Sequence, residues 1–132
     1  MRRFLGGFTL IELLFVMALI AILSSLALPS YQHTQQKGQR TLAKLALVKT
    51  AHWLERAASI SGSYPSGVPD SVWQSSDLRY RLQVQSQAQS FTLIAIPLGA
   101  QSKDVCGNLT LGHTGERGVQ NATWSATQCW ER

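Results

Sequence analysis

Over 132 residues the chain carries twelve Lys or Arg against seven Asp or Glu, a formal charge of +5. Setting aside Arg2 and Arg3, which precede the first apolar run, ten basic against seven acidic residues leaves +3. That surplus is too small to hold nucleic acid unaided, because affinity for phosphate needs clustered cations. The length fits one domain, and beyond the apolar N-terminal run about a hundred residues remain to enclose a core.

From Phe8 to Leu28 the chain reads FTLIELLFVMALIAILSSLAL, 21 residues with Glu12 as the one charge, ahead of Pro29. As a helix this run would be about 32 Å long, against a bilayer core of about 30 Å. Arg2 and Arg3 precede it and the next basic residue is Lys37, so the positive-inside rule places the N-terminus in the cytoplasm and the rest outside. Ala27, Leu28 and Pro29 do not form the small-residue cleavage site that ends an ordinary signal peptide. Glu12 calls for a reason, since a carboxylate within the membrane costs about 2.5 to 3.5 kcal/mol on insertion scales.

The string GFTLIELLFVMALIAILSSLALPSY, Gly7 to Tyr31, resembles the class III signal of type IV pilins and pseudopilins: a short basic leader, a glycine, a phenylalanine and a glutamate four residues on. The resemblance implies cleavage between Gly7 and Phe8 by a prepilin peptidase, with N-methylation of the new Phe8 amine. It implies that Glu12 pairs with the N-terminal amine of a neighbouring subunit in the filament. Such a pair selects register even where its net stabilisation is small. The implied division is a leader over 1–7, a transmembrane and filament-core helix over 8–29, and a periplasmic globular domain over 30–132. Many major pilins carry a glycine mid-helix where this chain has Ala21.

After Pro29 the polar stretch SYQHTQQKGQR leads into helical spacing at Leu47, Ala51, Leu54 and Ala58, with Leu45, Val48 and Trp53 widening the apolar face. Gly62 and Pro65 predict its end. Val68 to Asp77 reads as a turn-rich surface loop. LRYRLQV, from Leu78, alternates apolar and polar residues as a strand does, and the link QSQAQ joins it to a second strand, SFTLIAI. A third is expected around Val105 to Gly112. Gly115 and Gly118 read as turns, before an irregular or extended segment that reaches Cys129.

Cys106 and Cys129 lack the close spacing of a zinc site. A disulfide is the better reading. Closing a loop of about 24 residues stabilises by roughly 3 kcal/mol in the chain-entropy model and implies an oxidising compartment.

The order, one long helix followed by an antiparallel sheet, also resembles the pilin fold. DVCGNLTL, then TGERG and CW, are similar to PilE-type minor pilins, in which a disulfide matching Cys106 and Cys129 bounds a surface loop. The expected fold is therefore α+β: a long N-terminal helix, first transmembrane and then amphipathic, on a small antiparallel sheet with a C-terminal disulfide loop.

His33, His52 and His113 are scattered without a carboxylate partner at metal-ligand spacing, and no nucleophile elbow or phosphate loop appears. The reading is no metal, no cofactor and no catalytic constellation. Asn108 and Asn121 begin N-x-T sequons, a pattern common by chance. Lys103, Arg117 and Trp124 interleave cations with an indole in a way that can contact DNA by phosphate pairing and stacking. The bland alternative is a solvated loop whose tryptophans pack on the sheet.

The expected function is a structural minor subunit of a type IV pilus, contributing to assembly, motility, adhesion or DNA uptake. Its expected partners are other major and minor pilins, the prepilin peptidase, the inner-membrane assembly platform, membrane lipid and, as a second hypothesis, DNA. The expected location is the inner membrane of a Gram-negative bacterium, with the body in the periplasm, and then the extracellular pilus. A pseudopilin of a type II secretion system shares the N-terminal signal. Acidic residues are too sparse here for the calcium site of the similar major pseudopilin.

Overall fold

The computed structural model describes residues 7–74 and 77–131. Of the leader expected over 1–7, only Gly7 falls within the described residues; Arg2, Arg3 and Arg132 lie outside them, as do Ser75 and Ser76 of the expected loop.

Helix α1 spans Leu10–Ser61, 52 residues that include Pro29. Thr9 opens it: its Oγ1 accepts the backbone N–H of Glu12 at 3.3 Å, the N-cap bond made by Ser or Thr three residues ahead. Glu12 thus stands in the first turn, where the helix dipole favours an anion. At the other end Gly62 takes φ +79° and its N–H donates to Ala58 O at 2.8 Å. A glycine in the left-handed region is the usual stop for a helix, as expected from the sequence.

The chain divides into two units, the first ending at Gln35 and the second beginning at Gln36. Every described residue of the first unit is exposed, including Phe8 and Leu10 through Leu28. The helix is long and apolar enough there to cross a membrane, by length and composition. Pro29 supplies no N–H for the Ser25 carbonyl.

In the second unit α1 buries Arg40, Ala43, Leu47, Thr50 and Leu54, a stripe at alternating three- and four-residue steps. This line is rotated from the expected one: Ala51 and Ala58 are half-buried, and Leu45 is 63% exposed. Two polar residues sit in the stripe, which explains the shift. Thr50 satisfies its hydroxyl by donating to Ala46 O at 2.8 Å, and Arg40 has a buried partner described below.

The sheet is an antiparallel meander of β1 (Tyr80–Gln87), β2 (Ser90–Pro97), β3 (Asn108–Gly112) and β4 (Arg117–Gln120), in that spatial order. Register sets two files of inward side chains: Leu82, Ala95, Leu109 and Val119 in one, Val84, Leu93, Leu111 and Arg117 in the other. All but the exposed Arg117 pack with Ala43, Leu47 and Leu54 of α1 in a single core. Each fully buried leucine there contributes about 1.5 to 3 kcal/mol of transfer free energy.

Four local readings change. The strand expected from Leu78 begins at Tyr80 and continues through Gln87, so the hairpin turn is only Ala88 and Gln89. Gly118 lies within β4, not in a turn; it faces Thr110 across the ladder, and a Cβ there would come 2.6 Å from Thr110 Oγ1. The loop after α1 contains a short helix, α2 (Asp70–Trp73), whose Trp73 is buried. The segment that reaches Cys129 ends as α3 (Ala126–Glu131), so the disulfide-bounded span carries β3, β4 and the start of this helix as well as loop.

Candidate nucleic-acid interface and assembly segment

Gly7 and Phe8 precede α1 and both are exposed, Phe8 by 80%. Glu12 is exposed within the first turn of the helix, held there through its backbone by Thr9. The spacing Thr9 to Glu12 matches the capping pattern, a local role for this pair that the reading of Glu12 as an assembly residue overlooks.

Cys106 and Cys129 form a disulfide, with both residues fully buried. It ties the entry to β3 to helix α3. Gly107 follows with φ +50°, and a Cβ there would sit 2.5 Å from the carbonyl oxygens of Gln120 and Asn121. Only glycine lets the two segments approach this closely.

Next to the disulfide lies a buried polar network that pattern reasoning missed. Arg40 Nε donates to Asp104 Oδ2 at 2.9 Å and its Nη2 to Oδ1 at 3.0 Å, a two-pronged pair. Gln101 Nε2 lies 3.0 Å from Asp104 Oδ2, 3.0 Å from the Tyr80 hydroxyl and 3.1 Å from Gln36 O. The Tyr80 hydroxyl in turn reaches Asp104 Oδ2 at 3.5 Å. Burial is the main force on Tyr80, pushing its phenol up to about 12, and the Asp104 charge acts in the same direction. One signal for this network was available: Arg40 sits three residues before Ala43 and seven before Leu47, in phase with an apolar stripe.

The candidate DNA residues separate. Lys103 is exposed at the end of a 3₁₀ turn, Gly99–Lys103. Trp124 is half-buried and lies under the guanidinium of Arg40, 5.9 Å from ring centre to Cζ. Arg117, on β4, stacks over Trp130 at 5.3 Å. Among the described residues neither cation–ring contact joins Trp124 to Lys103 or Arg117.

A different grouping emerges around Arg117. Trp130 anchors it, donating from Nε1 to Gly118 O at 2.9 Å while its carbonyl accepts from Lys44 Nζ at 2.9 Å. The Lys44 ammonium is held below its ordinary range, first by burial and then by the charges of Arg40, Lys37 and Arg117; Asp104 opposes them. Lys37, Arg40 and Arg117 thus place positive charge around Lys44, with Asp104 opposing, on the flank where α1 meets β4 and α3. Positive charge so concentrated favours an anionic partner.

Two family models match the chain. Residues 29–110 match the family described as "Type IV minor pilin ComP, DNA uptake sequence receptor", and residues 5–28 match the prokaryotic N-terminal methylation motif. The chain belongs to the type IV pilin family. A solved type IV pilin from Shewanella oneidensis superposes on this pilin with a TM-score of 0.55 at 32% identity, covering 68% of this chain and 98% of the other. Fimbrial protein Q and the type IV major alpha-pilin of Moraxella bovis are each 53% identical to it over 47 residues. That match covers 34% of this pilin and 30% of the length of each curated relative. The long helix, four-stranded antiparallel sheet and disulfide are those of a pilin, a structural rather than an enzymatic fold.

Proposed function

We propose that this pilin is a minor subunit of a type IV pilus that captures DNA at the cell surface. Residues 8–29 span the inner membrane before assembly, with the globular part, 30–132, on the periplasmic side of a Gram-negative envelope. The prepilin peptidase removes residues 1–7, cutting between Gly7 and Phe8, and the Phe8 amine is methylated. On transfer from the assembly platform into the filament, Glu12 meets the amine of a neighbouring pilin. A carboxylate facing an ammonium removes the cost of leaving either alone in an apolar core.

DNA capture is supported by the flank where the charges of Lys37 and Arg117 bear on Lys44. Cations that share a field release bound counterions together when they meet phosphate. The match of residues 29–110 to the family described as a DNA uptake sequence receptor agrees with this reading. Anisotropy of labelled duplex DNA, titrated with the detergent-solubilised full chain over a range of salt, tests it. Lys37→Gln and Arg117→Gln should each flatten the salt slope by about one unit. Lys103→Gln, on the 3₁₀ turn, should change it less. Salt-independent binding, or slopes unmoved by both flank substitutions, overturns the reading.

A further inference from the structure

The two edges of the sheet differ. β4 has four residues and α3 packs against it. β1 has eight residues, and neither a charge nor a proline interrupts it from Leu82 to Gln87. Proteins ordinarily blunt an edge strand with one or the other, because its free N–H and C=O groups template the pairing of another chain.

The phase of the ladder identifies those groups. A two-residue hairpin turn is closed by a hydrogen-bonded pair, here Gln87 with Ser90. At the far end Leu98 N–H donates to Arg79 O at 3.0 Å. Bonded and non-bonded pairs alternate along an antiparallel ladder. Arg81, Gln83, Gln85 and Gln87 therefore exchange bonds with β2, while Leu82, Val84 and Ser86 turn N–H and C=O to the open side. Among the described residues, no backbone group outside the ladder bonds β1 between Arg81 and Gln87. At its Tyr80 end β1 borders a cleft of about 690 Å³. Half-buried Val68, Leu78 and Leu82, exposed Leu98 and the opposite charges of Asp70 and Arg81 line it.

A second copy is a poor occupant of this edge. Pairing β1 with β1 across a twofold axis normal to the sheet turns the α1 segment on the sheet face end for end, whereas on the topology proposed above every copy runs in one direction. Pairing β1 with the β4 of another copy meets α3. We propose that β1 is a docking edge for an extended segment of a different protein, added antiparallel as a further strand. Its backbone pairs with Leu82, Val84 and Ser86. Directly opposed residues share a face of the sheet, so its side chains opposite Leu82 and Val84 are apolar and those opposite Gln83 and Gln85 polar. Asp70 and Arg81 offset each other, so the cleft takes an uncharged side chain and recognition rests on the backbone.

The test is amide hydrogen exchange, read by NMR on the full chain in non-ionic detergent. The probe is an acetylated peptide of about nine residues that alternates threonine with valine. In the free chain the amides of Gln83 and Gln85 should be protected by β2, and those of Leu82, Val84 and Ser86 should not. With peptide at about ten times its Kd, exchange of these three amides should slow about tenfold. N-methylation of the valine amides, which face β1 in the antiparallel register, should abolish the effect. Ser86→Pro removes a donor that β2 does not use, so it should keep native near-ultraviolet circular dichroism and lose the peptide. Protection of Leu82, Val84 and Ser86 in the free chain overturns the proposal, and its loss on dilution would put a second copy on the edge instead. Unchanged exchange with peptide, or slowing that survives N-methylation or Ser86→Pro, overturns it as well.

Discussion

Removing Asp104 should unfold the second unit more readily than any other single polar substitution in it. The carboxylate takes two charge-assisted hydrogen bonds from Arg40, at 2.9 and 3.0 Å, and both side chains are almost wholly buried. Gln101 lies within 3.0 Å of the same oxygen. Asp104→Ala therefore leaves a guanidinium without water and without its counterion, a loss of about 3 to 5 kcal/mol. For a domain near a hundred residues, each kcal/mol moves the melting temperature by about 4 to 8 °C, so the midpoint should fall by at least about 12 °C. Arg40→Met should cost a similar amount by stranding the carboxylate. The double variant Arg40→Met with Asp104→Ala removes both charges and should recover most of that loss. Circular dichroism melts of the four proteins, oxidised and in the same detergent, complete the cycle. A loss below about 1 kcal/mol for Asp104→Ala, or single losses that simply add in the double variant, would refute the argument that burial makes the pair obligatory.

Three further outcomes follow from particular residues. The Tyr80 phenol ionises near 12 in the folded chain against an ordinary 10.0. Because the fold favours its neutral form, its contribution is intact below pH 10.0 and disappears as pH rises through about 12. Alkaline melts should show this loss, Tyr80→Phe should weaken it, and tyrosinate absorbance should lose its latest-ionising phenol in that variant. Gly107→Ala combines a positive φ with two backbone oxygens at 2.5 Å and should cost about 2 kcal/mol or more, read from the same melts. Glu12→Leu should leave membrane insertion intact, but mass spectrometry of sheared pili should find the variant at a small fraction of the parent's level; equal incorporation would remove Glu12 from assembly.

The parts legible in the sequence were those governed by local pattern. Alternation from Leu78 to Val84 marked β1, and Gly62 marked the end of α1, because strand pleat and left-handed caps leave residue-level signatures. The stripe on α1 was misplaced, since Arg40 and Thr50 are polar and pattern reading discounts polar residues that are satisfied inside. Strand β4 has four residues and α3 has six, too short for periodicity to show. At the site, Lys103, Arg117 and Trp124 were chosen by residue type alone. Lys37, Lys44 and Trp130 joined Arg117 only through packing of α1 against the C-terminal segment, a long-range relation that no local window contains. Asp104 escaped notice for the same reason, as its partner lies 64 positions away.

The placement of the disulfide also orders events in time on the topology proposed above. Cys106 comes ahead of β3, whereas Cys129 lies in α3, later in the chain than every strand. An oxidant meeting Cys106 as it emerges from a translocation channel finds no correct mate until the remaining strands have followed. Throughout that wait the apolar rod keeps the unfinished polypeptide at the bilayer, within reach of thiol-exchange enzymes and out of the bulk periplasm.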